Sequence, residues 1–208
     1  DELLENASNI QAVDVIKLLK NFNIKFSTAV KIYSNGNLVT DKSLNDTLEQ
    51  QENGYYHFII ENIASGKKLE AKATKSNLYI RKDSEINDNR AFRKTRRFKE
   101  FDNIRDNIID SWKAIFDNYK RFMKFGKIKE TILSDRGVYE LDGYFAKPLF
   151  SDFLHEIKNC KSKIFIDKEN GIVLSFFLQV NSKNLKEPSI ETETKYFMDI
   201  IPEKEVKE

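Results

Sequence analysis

The chain of 208 residues is 40% apolar and contains 16 Phe and 8 Tyr, which excludes a disordered chain and suffices for one large domain or two small ones. Its 35 basic and 33 acidic residues leave a net charge of +2, so no global charge draws it to nucleic acid or to an anionic membrane. One cysteine excludes an intrachain disulfide and a cysteine-based metal cluster, and two histidines leave little for a zinc site or a Ser-His-Asp triad.

The first quarter of the chain predicts a helix and then a strand. Apolar side chains recur near helical spacing over residues 3–22, and polar residues at 6–9 leave open a break into two pieces. Strict alternation of apolar and polar residues over Ile24–Tyr33 predicts a half-buried strand. Residues 38–52 are polar and fit either a short helix or an irregular strand on the rim of a sheet.

Short strands separated by turns follow, and they predict an antiparallel meander. These strands are 55–63, 69–74 and 78–81. Residues 83–103 are mostly polar and charged, and we interpret them as a loop with one broken strand.

An apolar stripe in the middle of the chain predicts a helix from Ile104 to Phe125. Asp102 or Asn103 would cap its start, and Gly126 suits the position after a helix. With Trp112 at its centre, the stripe fits a lid over an apolar cavity as well as it fits the face of an ordinary core.

The last third returns to β-structure and contains the segment around which we expect the sheet to be organised. This segment is a hairpin over residues 163–180, in which Gly171 supplies the positive φ of the turn. Its second strand is apolar on both faces, as expected where the core covers one face and a lid or ligand covers the other. The other predicted segments are strands at 127–133, 137–145 (with a kink at Asp142-Gly143) and 194–201, a strand or short helix at 151–158, a polar loop at 181–193 and a frayed tail at 203–208.

The strongest local charge pattern is a basic run at residues 90–99, in which cations alternate with Phe92 and Phe98. Three interpretations fit it: a solvated segment that faces acidic neighbours, a surface for phospholipid headgroups or another acidic partner, and a nucleic-acid site. The low net charge of the chain argues against nucleic acid, which we do not expect as a partner. The cations of the run that we assign to a headgroup or an acidic partner are Arg90, Arg93, Arg96 and Arg97.

No residue pattern points to a reaction. The P-loop, dinucleotide-binding, zinc-protease and α/β-hydrolase motifs are absent from the sequence. His57 and His155 fit structural or surface positions better than they fit ligands or bases. Cys160 has no partner cysteine and fits an unreactive thiol, although the adjacent Lys158 and Lys161 favour a lower thiol pKa.

The order of these elements resembles the lipoprotein-carrier superfamily of LolA, LolB and the LppX-type lipoproteins. The segments that carry the resemblance are Phe26-Ser27-Thr28-Ala29-Val30, Leu78-Tyr79-Ile80-Arg81, the helix of Trp112 and Ile166-Asp167-Lys168-Glu169-Asn170-Gly171-Ile172-Val173-Leu174. The resemblance covers nearly the whole chain and implies an α+β fold, in which helices cover the open face of a strongly curved antiparallel β-sheet, an incomplete barrel. It also implies one domain over residues 1–208.

The resemblance implies a function as well. An apolar cavity of the half-barrel would hold the acyl chains of a lipid or lipoprotein, in the periplasm or tethered to the bacterial outer membrane. A signal peptide or a lipidated cysteine would have preceded Asp1. No functional residue of the carriers matches by motif, so size and position select the cavity candidates, which are Phe26, Phe58, Trp112, Phe116 and Phe176.

We therefore expect a monomer that is not an enzyme and holds no cofactor or metal. The first alternative is a non-catalytic envelope adaptor or scaffold, filled by its own side chains, which binds an acidic protein partner through residues 90–99. The second is an enzyme of an unrecognised type, which would need acids with shifted pKa values inside a pocket.

Overall fold

The computed structural model describes residues 2–146 and 155–203. Residues 151–154 of the predicted segment 151–158 and residues 204–208 of the predicted tail 203–208 therefore lie outside the described residues. The first half contains α1 (Glu2–Asn9), α2 (Ala12–Leu19), β1 (Phe22–Ser34), β2 (Asn37–Gln50), β3 (Tyr56–Asn62), β4 (Lys67–Ala73) and β5 (Asn77–Lys82). The middle contains α3 (Ser84–Asn87), β6 (Arg93–Arg96), α4 (Lys99–Ile109), α5 (Ser111–Tyr119) and a 3₁₀ turn (Lys120–Phe122). The rest contains β7 (Met123–Phe125), β8 (Lys129–Leu133), β9 (Arg136–Phe145), β10 (His155–Asp167), β11 (Val173–Asn184) and β12 (Ile190–Pro202).

The strands form one antiparallel sheet in the order β6-β5-β4-β3-β2-β1-β12-β11-β10-β9-β7, and β8 also pairs with β9. The strands at the two ends, β6 and β7, do not pair with each other, so the sheet stays open. The first and last strands meet in its centre, where Phe22 lies opposite Pro202. The predicted α+β fold, an open curved antiparallel sheet with helices over one face, is confirmed.

The path of the chain explains why helices cover the sheet. Strands β6 and β7 are consecutive in the sequence but lie at opposite ends of the sheet, so α4 and α5 cross one face between them. Trp112 of α5 contacts Phe176 of β11, with ring centroids 6.1 Å apart. At the other end, Phe101 of α4 stacks on Phe58 of β3, also at 6.1 Å. We call this helix-covered side the inner face.

The inner face forms the core because side chains alternate between the two faces of each strand. Phe22, Ile24 and Phe26 of β1 are all buried on this face. Ile24 lies opposite Leu48 on one neighbouring strand and Ile200 on the other, and both are buried. Burial in register across neighbouring strands fixes the pairing, because a slip of one residue would expose each apolar set.

The predicted hairpin is present as β10 and β11 and is longer than predicted. Gly171 has a φ of +75°, and its N–H donates to the Asp167 carbonyl at 2.9 Å. The Asn170 side chain accepts a hydrogen bond from the Ile172 N–H at 3.1 Å, which closes the turn. Residues 172–178 are buried on both faces except at Phe177, as the sequence predicted.

The predicted helix over 104–125 is wrong at both ends. The helical region begins at Lys99, divides at Asp110 and ends at Tyr119, so Gly126 does not end it. Residues that were predicted to close this helix form β7 instead, because they pair with β9. The close approach of β7 also explains why residue 143 is a glycine, since an added Cβ there would lie 2.9 Å from the Phe125 ring. No register shift marks the predicted kink at Asp142-Gly143 against β10.

Strand pairing converts two polar segments into β-structure. Residues 38–52 were predicted as a short helix or an irregular strand, and residues 38–50 of them lie in the long strand β2, which pairs with β1 and β3. The predicted loop at 181–193 is wrong, because β11 continues to Asn184 and β12 begins at Ile190. Backbone hydrogen bonds between strands stabilise these segments although they carry few apolar side chains.

Two helical boundaries also differ from the prediction. The first helix is broken, as one alternative allowed, but the break follows Asn9 and Gln11 caps the second piece together with Asp14. Phe22 already belongs to β1, so this helix does not extend to it. Residues 83–103 hold α3, β6 and the start of α4 rather than one broken strand alone.

Candidate functional site

Three of the five predicted cavity residues form one aromatic cluster under α5. Ring centroids are 6.0 Å apart between Trp112 and Phe116, 6.1 Å between Trp112 and Phe176 and 6.4 Å between Phe116 and Phe176. Phe125 of β7 extends the cluster, with its ring 6.0 Å from that of Phe116. These three large side chains thus meet on the helix-covered side of the sheet.

The other two predicted residues lie elsewhere on the inner face. Phe58 belongs to a second aromatic cluster under α4, where it stacks between Tyr56 and Phe101 at 5.9 and 6.1 Å. Phe26 lies between the two clusters, opposite Met198 of β12. The five residues thus share one face but do not line one space.

The space between the helices and the centre of the sheet is filled by side chains. A void of only about 10 Å³ remains there, lined by residues of α1, α2, α5 and the sheet that include Trp112, Ile172 and Ile200. Trp112 is 4% exposed and Phe176 is fully buried. At this place the structure has a packed core rather than the cavity that the resemblance implies.

A larger space opens at the margin of the core, next to the cluster of Trp112, Phe116 and Phe176. This cleft has a volume of about 570 Å³, and we call it the α1–β7 cleft. Its lining residues are Leu4, Glu5, Ser8, Phe116, Lys120, Met123, Lys124, Phe125 and Tyr144. Only Phe116 of these was predicted, because the others come from three distant segments that carry no shared sequence pattern.

The α1–β7 cleft has an apolar floor and a charged rim. Leu4, Phe116 and Met123 are buried at its base. Lys120 at the rim forms an ion pair with Asp117 at 2.8 Å, whereas Lys124 has no ion-pair partner in residues 2–146 or 155–203. An apolar floor with two lysines and one glutamate at its rim suits a ligand that has a hydrocarbon tail and a charged end.

A second cleft of about 390 Å³ lies on the other side of the 3₁₀ turn, between α5 and the far ends of β10, β11 and β12. Polar side chains such as Thr192, Thr194 and Ser182 form much of its wall. Nearby, burial raises the pKa of the Cys160 thiol to about 12. The lower pKa that the neighbouring lysines favoured is therefore wrong, because the thiol points into the core and is fully buried.

The four arginines of the predicted basic patch do not have equal roles. Arg90 pairs with Asp88 at 3.2 Å, and Arg93 pairs with Glu85 at 3.4 Å. These two and Arg96 are exposed. These three side chains are accessible to a partner, whereas most of the fourth arginine of the patch is covered.

That fourth arginine, Arg97, is partly buried and holds three segments together. Its Nη1 donates to the carbonyls of Gly54 and Thr74, both at 2.9 Å. Its Nε donates to Asp102 at 3.0 Å, and the same carboxylate oxygen accepts the Tyr56 hydroxyl at 2.7 Å. Arg97 therefore connects β3 and β4 to the start of α4, and the sequence pattern did not distinguish it from its exposed neighbours.

His57 has a structural role, as the sequence indicated. Its Nε2 lies 2.7 Å from Glu70 Oε1, and the Arg81 Nε donates to Glu70 Oε2 at 2.5 Å on the outer face of the sheet. Burial acts to raise the pKa of Glu70, but the hydrogen bonds from Arg81 and His57 outweigh it and lower that pKa. A carboxylate held in its charged form by two partners stabilises the outer face and is not a free base.

Neither a metal-binding cluster nor a membrane-spanning helix is found among the described residues. Within 2–146 and 155–203, no group of three or more His, Cys, Asp and Glu side chains could hold a metal ion. None of the helices in the same part of the chain is long and apolar enough to cross a membrane.

The comparison with known proteins finds distant structural similarity only. No family model and no curated protein matches the sequence. A LolA superfamily protein from Nitrosomonas europaea is similar at 9% identity and a TM-score of 0.28, covering 98% of this chain and 93% of that one. A putative outer membrane lipoprotein-sorting protein domain from Vibrio parahaemolyticus is similar at 9% identity and a TM-score of 0.26, covering 100% and 93%.

The MucA/MucB complex from Pseudomonas aeruginosa contains another similar chain, at 12% identity and a TM-score of 0.27. The match covers 94% of this chain but 57% of the other, so this chain spans little more than half of its length.

Proposed function

We propose that this protein binds the acyl chain of a lipid or lipoprotein in the bacterial cell envelope and catalyses no reaction. The observation that carries the proposal is the α1–β7 cleft, whose apolar floor continues into the aromatic cluster of Trp112, Phe116 and Phe176. The envelope location comes from the resemblance in the order of elements and is part of the proposal.

The size of the cleft supports an acyl ligand. Its volume of about 570 Å³ lies within the range of roughly 300–1,000 Å³ that is usual for small-ligand sites. Each buried methylene contributes about 0.8 kcal/mol, so about ten methylenes can supply a micromolar affinity. The packed centre of the core sets the limit, because a longer chain can enter only where side chains such as Met123 and Phe125 move.

The rim of the cleft supports an acidic end on the ligand. Lys120 and Lys124 lie on the side of α5 and β7, and Glu5 lies on the opposite wall. A carboxylate or phosphate near the two lysines would gain charge-assisted hydrogen bonds, while the hydrocarbon tail contacts Phe116 below.

A cleft-filling variant tests the proposal. In Ser8→Trp, an indole on α1 projects into the α1–β7 cleft without removing a core side chain. We expect this change to weaken binding of a dansylated C11 fatty acid, measured by its fluorescence, at least tenfold. Native mass spectrometry of the purified wild-type protein should show bound lipid that organic extraction removes.

Ser189→Trp is the matched control, because Ser189 is exposed in the loop before β12. It should bind the dansylated fatty acid as the wild-type protein does. Equal affinities of the two variants would place the ligand elsewhere, and a wild-type protein that binds no fatty acid would contradict the proposal.

A further inference from the structure

A second surface lies at the opposite end of the sheet from the α1–β7 cleft. Strand β6 is the terminal strand there, and it pairs with β5 on one side only. All four of its residues, Arg93–Arg96, are exposed. In an antiparallel pair, alternate residues direct their N–H and C=O groups away from the partner strand, so β6 presents unpaired backbone groups at its free edge.

An apolar pocket adjoins this edge on the inner face. It has a volume of about 330 Å³ and lies between β5, β6 and the start of α4. The residues that line it are Ile80, Lys82, Arg93, Thr95, Phe98 and Phe101. The Phe98 ring packs edge-on against Phe101 at 5.0 Å and is still 41% exposed, so a large aromatic surface is available to a partner.

The outer side of the same strand is cationic. Lys94 and Arg96 point away from the pocket, since Thr95 between them lines it. Neither forms an ion pair with any residue in 2–146 or 155–203, and Lys94 lies over the Tyr79 ring at 6.0 Å. An acidic side chain opposite them would meet charges that this part of the chain leaves uncompensated.

We propose that the free edge of β6 binds an extended acidic peptide segment as an additional strand, with an apolar side chain in the adjoining pocket. The backbone groups of the edge supply hydrogen bonds, and the alternation of side chains supplies the selectivity. In the preferred peptide, residues that face the pocket are apolar and residues on the side of Lys94 and Arg96 are acidic. Its sequence therefore alternates between apolar and acidic residues. The surface is separate from the α1–β7 cleft and does not depend on lipid binding.

A second copy of this chain is a poor occupant of the same edge. Two β6 strands side by side would bring Arg93, Lys94 and Arg96 of both copies together, and like charges on neighbouring strands destabilise the pair. Cations on edge strands are a known protection against self-association. An acidic segment of another protein would avoid that repulsion, because its carboxylates would attract these cations.

The test uses a fluorescein-labelled peptide of four Glu-Val repeats and measures its binding to the full chain by fluorescence anisotropy. We expect saturable binding that weakens with added salt, and at least tenfold weaker binding to Lys94→Glu/Arg96→Glu. The matched control is Lys127→Glu/Lys186→Glu, which changes the charge equally at two exposed lysines far from β6 in sequence and should bind as the wild type does. Circular dichroism checks that both variants are folded.

Two further peptides separate strand addition from simple attraction of charge. A Glu-Val peptide with N-methyl groups on alternate amides keeps its charge but cannot pair along one edge, and we expect it to bind at least tenfold more weakly. A Lys-Val peptide should not bind. Equal binding of the methylated and unmethylated peptides, or no binding of the Glu-Val peptide, would overturn the proposal. So would a surface that binds anionic vesicles and no peptide.

Discussion

Asp46 is a carboxyl group in an apolar position. It lies on the inner face of β2, opposite Phe26 on β1 and Ile60 on β3. Its Oδ1 is buried and has no hydrogen-bond partner among residues 2–146 and 155–203. Burial raises the pKa of Asp46 to about 6, because the charged form loses its water without gaining a partner.

This pKa predicts how stability depends on pH. The unfolded carboxyl ionises near pH 4 and the folded one near 6, so the contribution of Asp46 to stability is full below pH 4 and is lost as the pH rises to 6. We expect Asp46→Asn to raise the free energy of unfolding at pH 7.5 by about 1–2 kcal/mol, less than the full shift implies because the side chain is partly solvated.

Urea unfolding at pH 4 and pH 7.5 measures the effect, and the gain should shrink at the lower pH. Asp41→Asn is the control, since Asp41 lies on the same strand but is exposed. A gain of equal size at both pH values would show that ionisation of Asp46 is not the cause.

At the scale of elements, the attachment of α4 to the sheet depends on a few polar contacts near its start. Arg97 joins the carbonyls of Gly54 and Thr74 to the carboxylate of Asp102. Its side chain is 17% exposed, whereas that of Arg93 in the preceding strand β6 is 64% exposed. Partly buried hydrogen bonds from one guanidinium group stabilise the fold more than exposed ion pairs do, because their loss leaves several covered polar groups without partners.

Arg97→Ala should therefore lower the free energy of unfolding by about 2–4 kcal/mol, as expected when one partner of a partly buried charge network is removed. Hydrogen exchange of the α4 amides should become faster in this variant. The control Arg93→Ala should change stability by less than about 0.5 kcal/mol, since it removes only an exposed pair. Similar losses in the two variants would show that Arg97 is an ordinary surface residue.

At the scale of the molecule, the pairing of β1 with β12 joins the two halves of the chain. This register runs from Phe22 opposite Pro202 to Ser34 opposite Ile190. The core beneath it is continuous, because Ile24 and Ile200 pack in the centre of the inner face. A sheet joined in this way favours one cooperative unit over two independent halves.

We therefore predict one unfolding transition for the whole chain. Trp112, the single tryptophan, reports on the core, and far-UV circular dichroism reports on the sheet. The two probes should give the same urea midpoint in the wild type. In Ile24→Ala both urea midpoints should fall together, and the free energy of unfolding should fall by about 2–5 kcal/mol. Separate transitions would indicate two domains and contradict the prediction of one.

The alternation and the turns of the sequence were enough to predict most strands, because a half-buried strand needs a period of two and a hairpin needs residues such as Gly171. The helical spacing of the apolar stripe likewise predicted one apolar helix face with Trp112 and Phe116, and both are buried. These are local properties, in which each residue is compared only with near neighbours in the chain.

Only the tertiary structure decided where polar segments pair and where helices end. Residues 38–50 form a strand, and residues 123–125 do not belong to the predicted helix, because backbone groups of neighbouring strands were available to pair with them. The α1–β7 cleft and the hydrogen bonds of Arg97 depend on contacts between segments far apart in the chain. The sequence by itself determined which residues are apolar and how they alternate; long-range pairing and packing decided which of them meet, since those energies depend on the folded path of the chain.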